Sequence, residues 1–130
     1  MHTPRSGFLK RLAAGAILVA AAGGAQAQSQ AWTTLDYSLA AGAATMMALD
    51  WAQTRYGARN PSRYAERNPV MGEHPSTAKV DRYFTAASLL MAGVTYALPR
   101  TQRRLFLAGV LVVETSVVFS NHQIGVKLDF

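Results

Sequence analysis

The sequence predicts an all-α protein: an export signal over residues 1–27, followed by one domain over residues 28–130 built as a three-helix transmembrane bundle. Three observations predict it. Half of the 130 residues are apolar and only 15% are charged, well below the usual quarter for a soluble domain. The apolar residues fall in three long runs separated by basic, proline-containing connections. The chain also opens with the layout of a secretory signal. Its length is that of a single domain.

In the opening segment, a basic start ends at Arg11, an apolar stretch follows from Leu12 to Ala22, and Ala25-Gln26-Ala27 supplies small residues for cleavage after Ala27. The apolar part is shorter than the roughly 20 residues a bilayer span requires. An uncleaved amino-terminal anchor is the alternative, and it gives every later loop the same sidedness.

The first helix is expected over Trp32–Tyr56. Trp32 and Trp51 are 19 residues apart, about 28 Å along a helix and close to the hydrocarbon thickness. Tryptophans favour the two membrane interfaces, and the small residues of 40–44 favour close helix contact. The second helix is expected over Thr77–Leu98, with Ser76 or Thr77 as N-cap and Pro99 as stop. The third is expected over Gln102–Asn121, capped by Thr101 and followed by Gly125. The short link Pro99-Arg100-Thr101 predicts a hairpin of helices two and three.

A soluble periplasmic bundle is the alternative architecture, but it would carry a broad charged face on each helix. Residues 83–99 contain no charge, and residues 105–121 contain only Glu114. With the signal cleaved, the loop from Gly57 to Thr77 is cytoplasmic. It holds the most basic residues, as the positive-inside tendency expects. Arg100, Arg103 and Arg104 on the outer side run against that tendency. The net charge of +6 is distributed among the signal and these two connections, and no nucleic-acid motif accompanies it, so no nucleic-acid partner is expected.

Polar residues inside apolar helices face a partner or a water-filled space. Asp36, Ala43, Asp50 and Thr54 share one face of the first helix. Asp81, Thr85, Ser88, Ala92 and Thr95 form a stripe on the second, and Glu114, Asn121 and Gly125 align on the third. Glu114 reads either as a relay or ligand anchor, or as a structural hydrogen-bonding group.

The connecting loop "NPSRYAERNPVMGEHPS" is rich in caps. Asn60-Pro61 predicts a short helix over "PSRYAER", Asn68-Pro69 repeats the device, Gly72 allows a turn, and His74-Pro75 imposes an extended residue. The topology assembles a polar cluster on this side from Asp50, Thr54, Glu66, Asn68, His74, Asn121 and His122. Glu114 is expected about two turns deeper, roughly 10 Å. The cluster reads as a binding or structural one. No cofactor or metal is expected: cysteine is absent and no His-x-x-x-His pair occurs. Ser62, Ser76 and Ser120 have no nucleophile-elbow context.

"DWAQT" at Asp50–Thr54 followed by "ERNP" at Glu66–Pro69 resembles the pattern of small bacterial membrane proteins typified by the uncharacterised DUF5658 domain. The longer run "NPSRYAERNPVMGEHPSTAKVDRYF" is similar to hypothetical small proteins of proteobacteria and their phages. The resemblance covers roughly Asp50 to Phe84. It implies a helical membrane protein in which Asp50, Thr54, Glu66, Asn68 and Pro69 match the pattern, and it implies no activity.

The expected role is therefore a non-enzymatic structural or partner-binding component of the bacterial inner membrane, surrounded by lipid and meeting a membrane protein or a second copy of itself. A holin-like permeation factor is the alternative suggested by size, three spans and the phage resemblance. A small enzyme or transporter using Glu114, Asp50 and His74, and a soluble exported helical protein, are the others.

Overall fold

The computed structural model describes residues 31–130, so the expected signal over 1–27 lies outside the described residues. Those residues form three helices and no strand: α1 (Thr34–Arg59), α2 (Thr77–Ala97) and α3 (Arg100–Gln123). α1 begins in a capping box. The Thr33 hydroxyl accepts from the Asp36 N–H, and the Asp36 carboxylate accepts from the Thr33 N–H at 2.8 Å. α2 is capped by the Ser76 hydroxyl and stopped by Pro99. α3 starts directly behind that proline with no side-chain cap, one residue or two earlier than Thr101 would place it. It ends at Gln123, and the chain turns away at Gly125, whose φ of 81° is open to glycine at little cost.

Cross-helix partners set the directions. Trp51 stacks on Phe84 and the Ser88 hydroxyl reaches the Met47 sulfur, so α2 runs antiparallel to α1. Arg104 meets Asp36 and Asn121 meets Asp50, so α3 runs parallel to α1. The up-down-up order puts the 60–76 loop and the carboxyl terminus at one end (the loop end), and Trp32 and Pro99 at the other (the link end).

α3 packs chiefly on α1 and only lightly on α2, in place of the expected hairpin packing of helices two and three. A short link fixes antiparallel sense but not the extent of contact. The small residues of α1 attract α3 instead: the Leu111 methyls stand 3.5 and 3.6 Å from where a Cβ on Gly42 would sit, and Ala43 and Leu107 are fully buried.

The hydrophobic core lies toward the loop end. Met47, Val80, Phe84 and the loop residue Met71 are buried together, with Trp51, Tyr83, Ala87 and Met91 packed around them. On α2 the inward residues are Val80, Phe84, Val94, Thr95 and Leu98. Thr85 and Ala92, expected on the inward stripe, are exposed.

No helix forms over "PSRYAER". Asn60 closes α1 instead of opening a new helix, because its side-chain amide donates back to the Tyr56 carbonyl at 2.8 Å. One turn follows, with the N–H groups of Arg63 and Tyr64 on the Asn60 carbonyl. The chain is then drawn out by the Glu66 N–H donating to the Glu73 carbonyl at 2.8 Å.

The outer surface is strongly apolar. Leu89 (70% exposed) and Leu90 on α2, and Leu105, Val112 and Phe119 on α3, stand out from the bundle. α3 is long and apolar enough to cross a membrane, and almost none of its apolar window is buried; among the described residues it is the one helix meeting that measure.

Candidate functional site

At the loop end, three elements bring polar groups together. Asp50 and Thr54 are one turn apart on the inner face of α1. The Thr54 hydroxyl and the Asn121 side-chain amide of α3 both donate to Asp50 Oδ1, each at a long 3.4 Å. Glu114, two turns before Asn121, lies within hydrogen-bonding reach of the Asp50 carboxyl, and one of its carboxylate oxygens is buried without another partner.

The loop closes over this group. Glu66 Oε1 accepts the Asn68 N–H at 2.7 Å, and Asn68 Oδ1 accepts the Val70 N–H at 3.0 Å. The Asn68 carbonyl accepts from Met71 and Gly72, so Asn68 is the hub of a tight turn. That turn drives Met71 into the core between α1 and α2. The Glu66 carboxylate lies within electrostatic range of Asp50, and the half-buried Tyr83 of α2 packs on the core beside this turn. The centre holds the Asp50 and Glu114 carboxyls with Glu66 in electrostatic range, while the nearby cations are turned elsewhere. Arg55 grips Asp81 at 2.9 and 3.0 Å, and Arg59 pairs with Asp129.

Of the eight expected residues, Asp50, Thr54, Glu114 and Asn121 come together between α1 and α3, while Glu66 and Asn68 are bonded to each other within the loop. The two histidines stand apart. His74 is half-exposed on the far side of the buried Pro75, 3.9 Å from the exposed Glu73. His122 is exposed, about 100° around α3 from Asn121. With both imidazoles outside, the cluster has no nucleophile–base pair, and no group of three metal-ligating side chains forms among the described residues. Its bonds join α1 to α3 and close the loop's own turn.

Other residues with structural roles were not singled out as site candidates. Asp81 accepts from the Trp51 indole at 2.8 Å as well as from Arg55. Tyr64 donates to the Gly125 carbonyl at 3.0 Å and the Asp129 N–H donates to the Ala52 carbonyl at 3.1 Å, holding the carboxyl-terminal tail against α1. At the link end, Arg103 is 1% exposed and donates to the Thr95 and Leu98 carbonyls at 3.2 Å each, closing the carboxyl end of α2. Its guanidinium lies 4.7 Å from the Trp32 ring centre. Arg104 binds Asp36 Oδ1 at 2.9 Å and the Thr33 hydroxyl at 3.0 Å. Trp32 and Trp51 therefore work between helices, where interface anchoring alone was expected of them. The spacing of Asp36 near the start of one helix and three arginines at the start of another was the available signal.

No family model, no curated protein and no solved structure matches this chain.

Proposed function

We propose that the chain is a non-enzymatic integral protein of the bacterial inner membrane, a three-span component whose cytoplasmic loop is pinned across the helix ends by Glu66 and Asn68. The observation that carries this reading is the inversion of polarity. Large apolar side chains stand exposed around α2 and α3, while Asp36, Gln53, Thr54, Thr95 and Arg103 are buried. Water as solvent would drive the opposite arrangement, and an apolar surface this extensive needs lipid or protein to cover it. The inward polar groups of a bilayer protein bind one another across helices.

The charges support the sidedness. Two of the arginines that run against the positive-inside tendency, Arg103 and Arg104, are engaged internally at the link end. Arg63, Arg67, Lys79 and Lys127 are exposed at the loop end, with no ion pair among the described residues. Kinship with the DUF5658 pattern is part of the proposal: of the residues that match it, Asp50 and Thr54 are bonded on α1, and Glu66 and Asn68 are bonded in the loop.

Fractionation tests the reading. The protein is expected in the membrane pellet after alkaline carbonate washing, with reporter fusions after residue 58 and after residue 130 active on the cytoplasmic side and a fusion after residue 100 active on the outer side. Release by osmotic shock, or by carbonate, contradicts it.

A further inference from the structure

On the face of the α1–α3 seam away from α2, an open crevice of about 470 Å³ runs beside the carboxyl-terminal tail. Its deeper wall is Leu49 on α1 and Val118 on α3; one turn nearer the loop end come Gln53 and His122, and Lys127 and Leu128 of the tail form the near rim. The gradient is ordered. Toward the middle of the helices the lining is aliphatic, and at the end it carries an ammonium and an imidazole. Lys127 and His122 are exposed, and neither side chain has a hydrogen bond or ion pair among the described residues. The nearest tail acid, Asp129, is already held by Arg59. Gln53 is 4% exposed; its Nε2 donates to the Val118 carbonyl at 3.2 Å, which fixes the orientation of its amide and leaves Oε1 buried with no donor. The crevice thus has an aliphatic deeper wall and, one turn nearer the loop end and at its rim, two side-chain donors with no protein partner among the described residues.

We propose that this crevice is a binding site for an anionic phospholipid of the cytoplasmic leaflet. One acyl chain lies along Leu49 and Val118, and the phosphate meets Lys127 and the His122 imidazole. Charge complementarity selects the occupant. A zwitterionic lipid brings its own cation to the rim and gains less from Lys127. The tail that builds the rim is anchored by the Asp129 N–H to Ala52 and by the Asp129–Arg59 pair, so the cation is held in place at the mouth. The inference rests on the membrane reading above, since only a chain embedded in the leaflet presents the crevice to lipid.

The test uses the full chain purified in mild detergent, supplied with phosphatidylglycerol or with phosphatidylcholine of the same acyl chains, and examined by native mass spectrometry. One retained phosphatidylglycerol per chain is expected, in preference to phosphatidylcholine. Lys127→Ala is expected to reduce retention about fivefold, the contribution of one basic residue near an anionic headgroup. Val118→Trp, which fills the crevice and leaves the rim charge in place, is expected to reduce it further. Unchanged helical circular dichroism in both variants separates lost lipid from lost fold. Equal retention of the two lipids, unchanged retention by Lys127→Ala, or no retained lipid on a chain that survives carbonate washing overturns the site and leaves the membrane reading intact. Release of the chain by carbonate overturns both.

Discussion

The two ends of the bundle hold the helices by opposite means. At the link end, unlike charges touch: Arg104 sits on the fully buried Asp36, and Arg103 closes the last turn of α2 beneath Trp32. At the loop end, no cation among the described residues meets Asp50: it has Glu114 beside it, and the bonds made to it by Thr54 and Asn121 stretch to 3.4 Å. The first end is fastened by one ion pair and by the bonds of Arg103 to the last carbonyls of α2. The second depends on the loop laid over it, whose shorter bonds are local to Glu66, Asn68 and Glu73. The contrast predicts that substitutions at the link end cost the most stability, and that at the loop end the turn matters more than the buried acids.

Arg103→Met should be the most damaging change. It leaves the Thr95 and Leu98 carbonyls without their donor in a buried site, a loss of about 3 kcal/mol in unfolding measured in detergent. A loss under about 1 kcal/mol would show that the link end is not fastened this way.

The Asp36 pair should be next, and it should be visible as a dependence on pH. Asp36 stands at the tip of α1, ahead of its apolar run. The Arg104 guanidinium, with the Thr33 hydroxyl and N–H, holds its carboxyl well below the usual carboxylate range. The unfolded chain, with an ordinary Asp near 3.9, takes up the proton first as pH falls. The contribution is therefore complete above about pH 5 and drains away as pH falls through 4 toward the lower folded value. Melting temperatures recorded between pH 6 and pH 2 should fall at the acid end in the wild type. In Asp36→Asn the melting temperature should already be low at pH 6 and should lose this part of the acid dependence.

Glu66→Ala should lower stability by about 1 kcal/mol, because the Asn68 N–H loses its acceptor and the turn that seats Met71 loosens. Asp50→Asn should change it by no more than about 0.5 kcal/mol, since the two bonds to that carboxyl are long and the carboxyl beside Glu114 is replaced. A reversed order, with Asp50→Asn the more costly, would make the buried acids the true fastening. Smallest of all should be Asp129→Ala: its partner Arg59 is half exposed, so the pair contributes less than about 0.5 kcal/mol, read in the same denaturation series.

Much of this was legible in the sequence, because apolar runs bounded by Ser76 and Pro99 leave little choice of helix. The inward face of α1 was equally readable, since Asp36, Ala43 and Asp50 recur every seven residues. Packing between helices was not. The three-residue link implied a hairpin, yet which neighbour α3 covers depends on Gly42 and Ala43 accepting Leu111 and Leu107, a match of shapes that spacing does not encode. Asn60 misled because an Asn-Pro pair opens helices more often than its amide turns back to close one. The arginines at 100–104 looked like surface charge, but two of them are spent on α2 and on Asp36. For the site, residues one turn apart on α1 and seven apart on α3 were bound to share a face. His122 was bound to miss it, because one step along a helix rotates a side chain by about 100°. His74 is turned out by the burial of Pro75, which no local pattern announces.

The claim beneath all of these is that hydrocarbon surrounds the bundle. The chain has no cysteine, so single cysteines at Leu89, Val112 and Arg67 can each carry a nitroxide without background labelling. In reconstituted bilayers, collision rates with oxygen and with a water-soluble nickel chelate should favour oxygen at Leu89 and Val112 and nickel at Arg67. Nickel dominating at all three positions would mean that water bathes the exposed apolar faces of α2 and α3, and would contradict the bilayer reading.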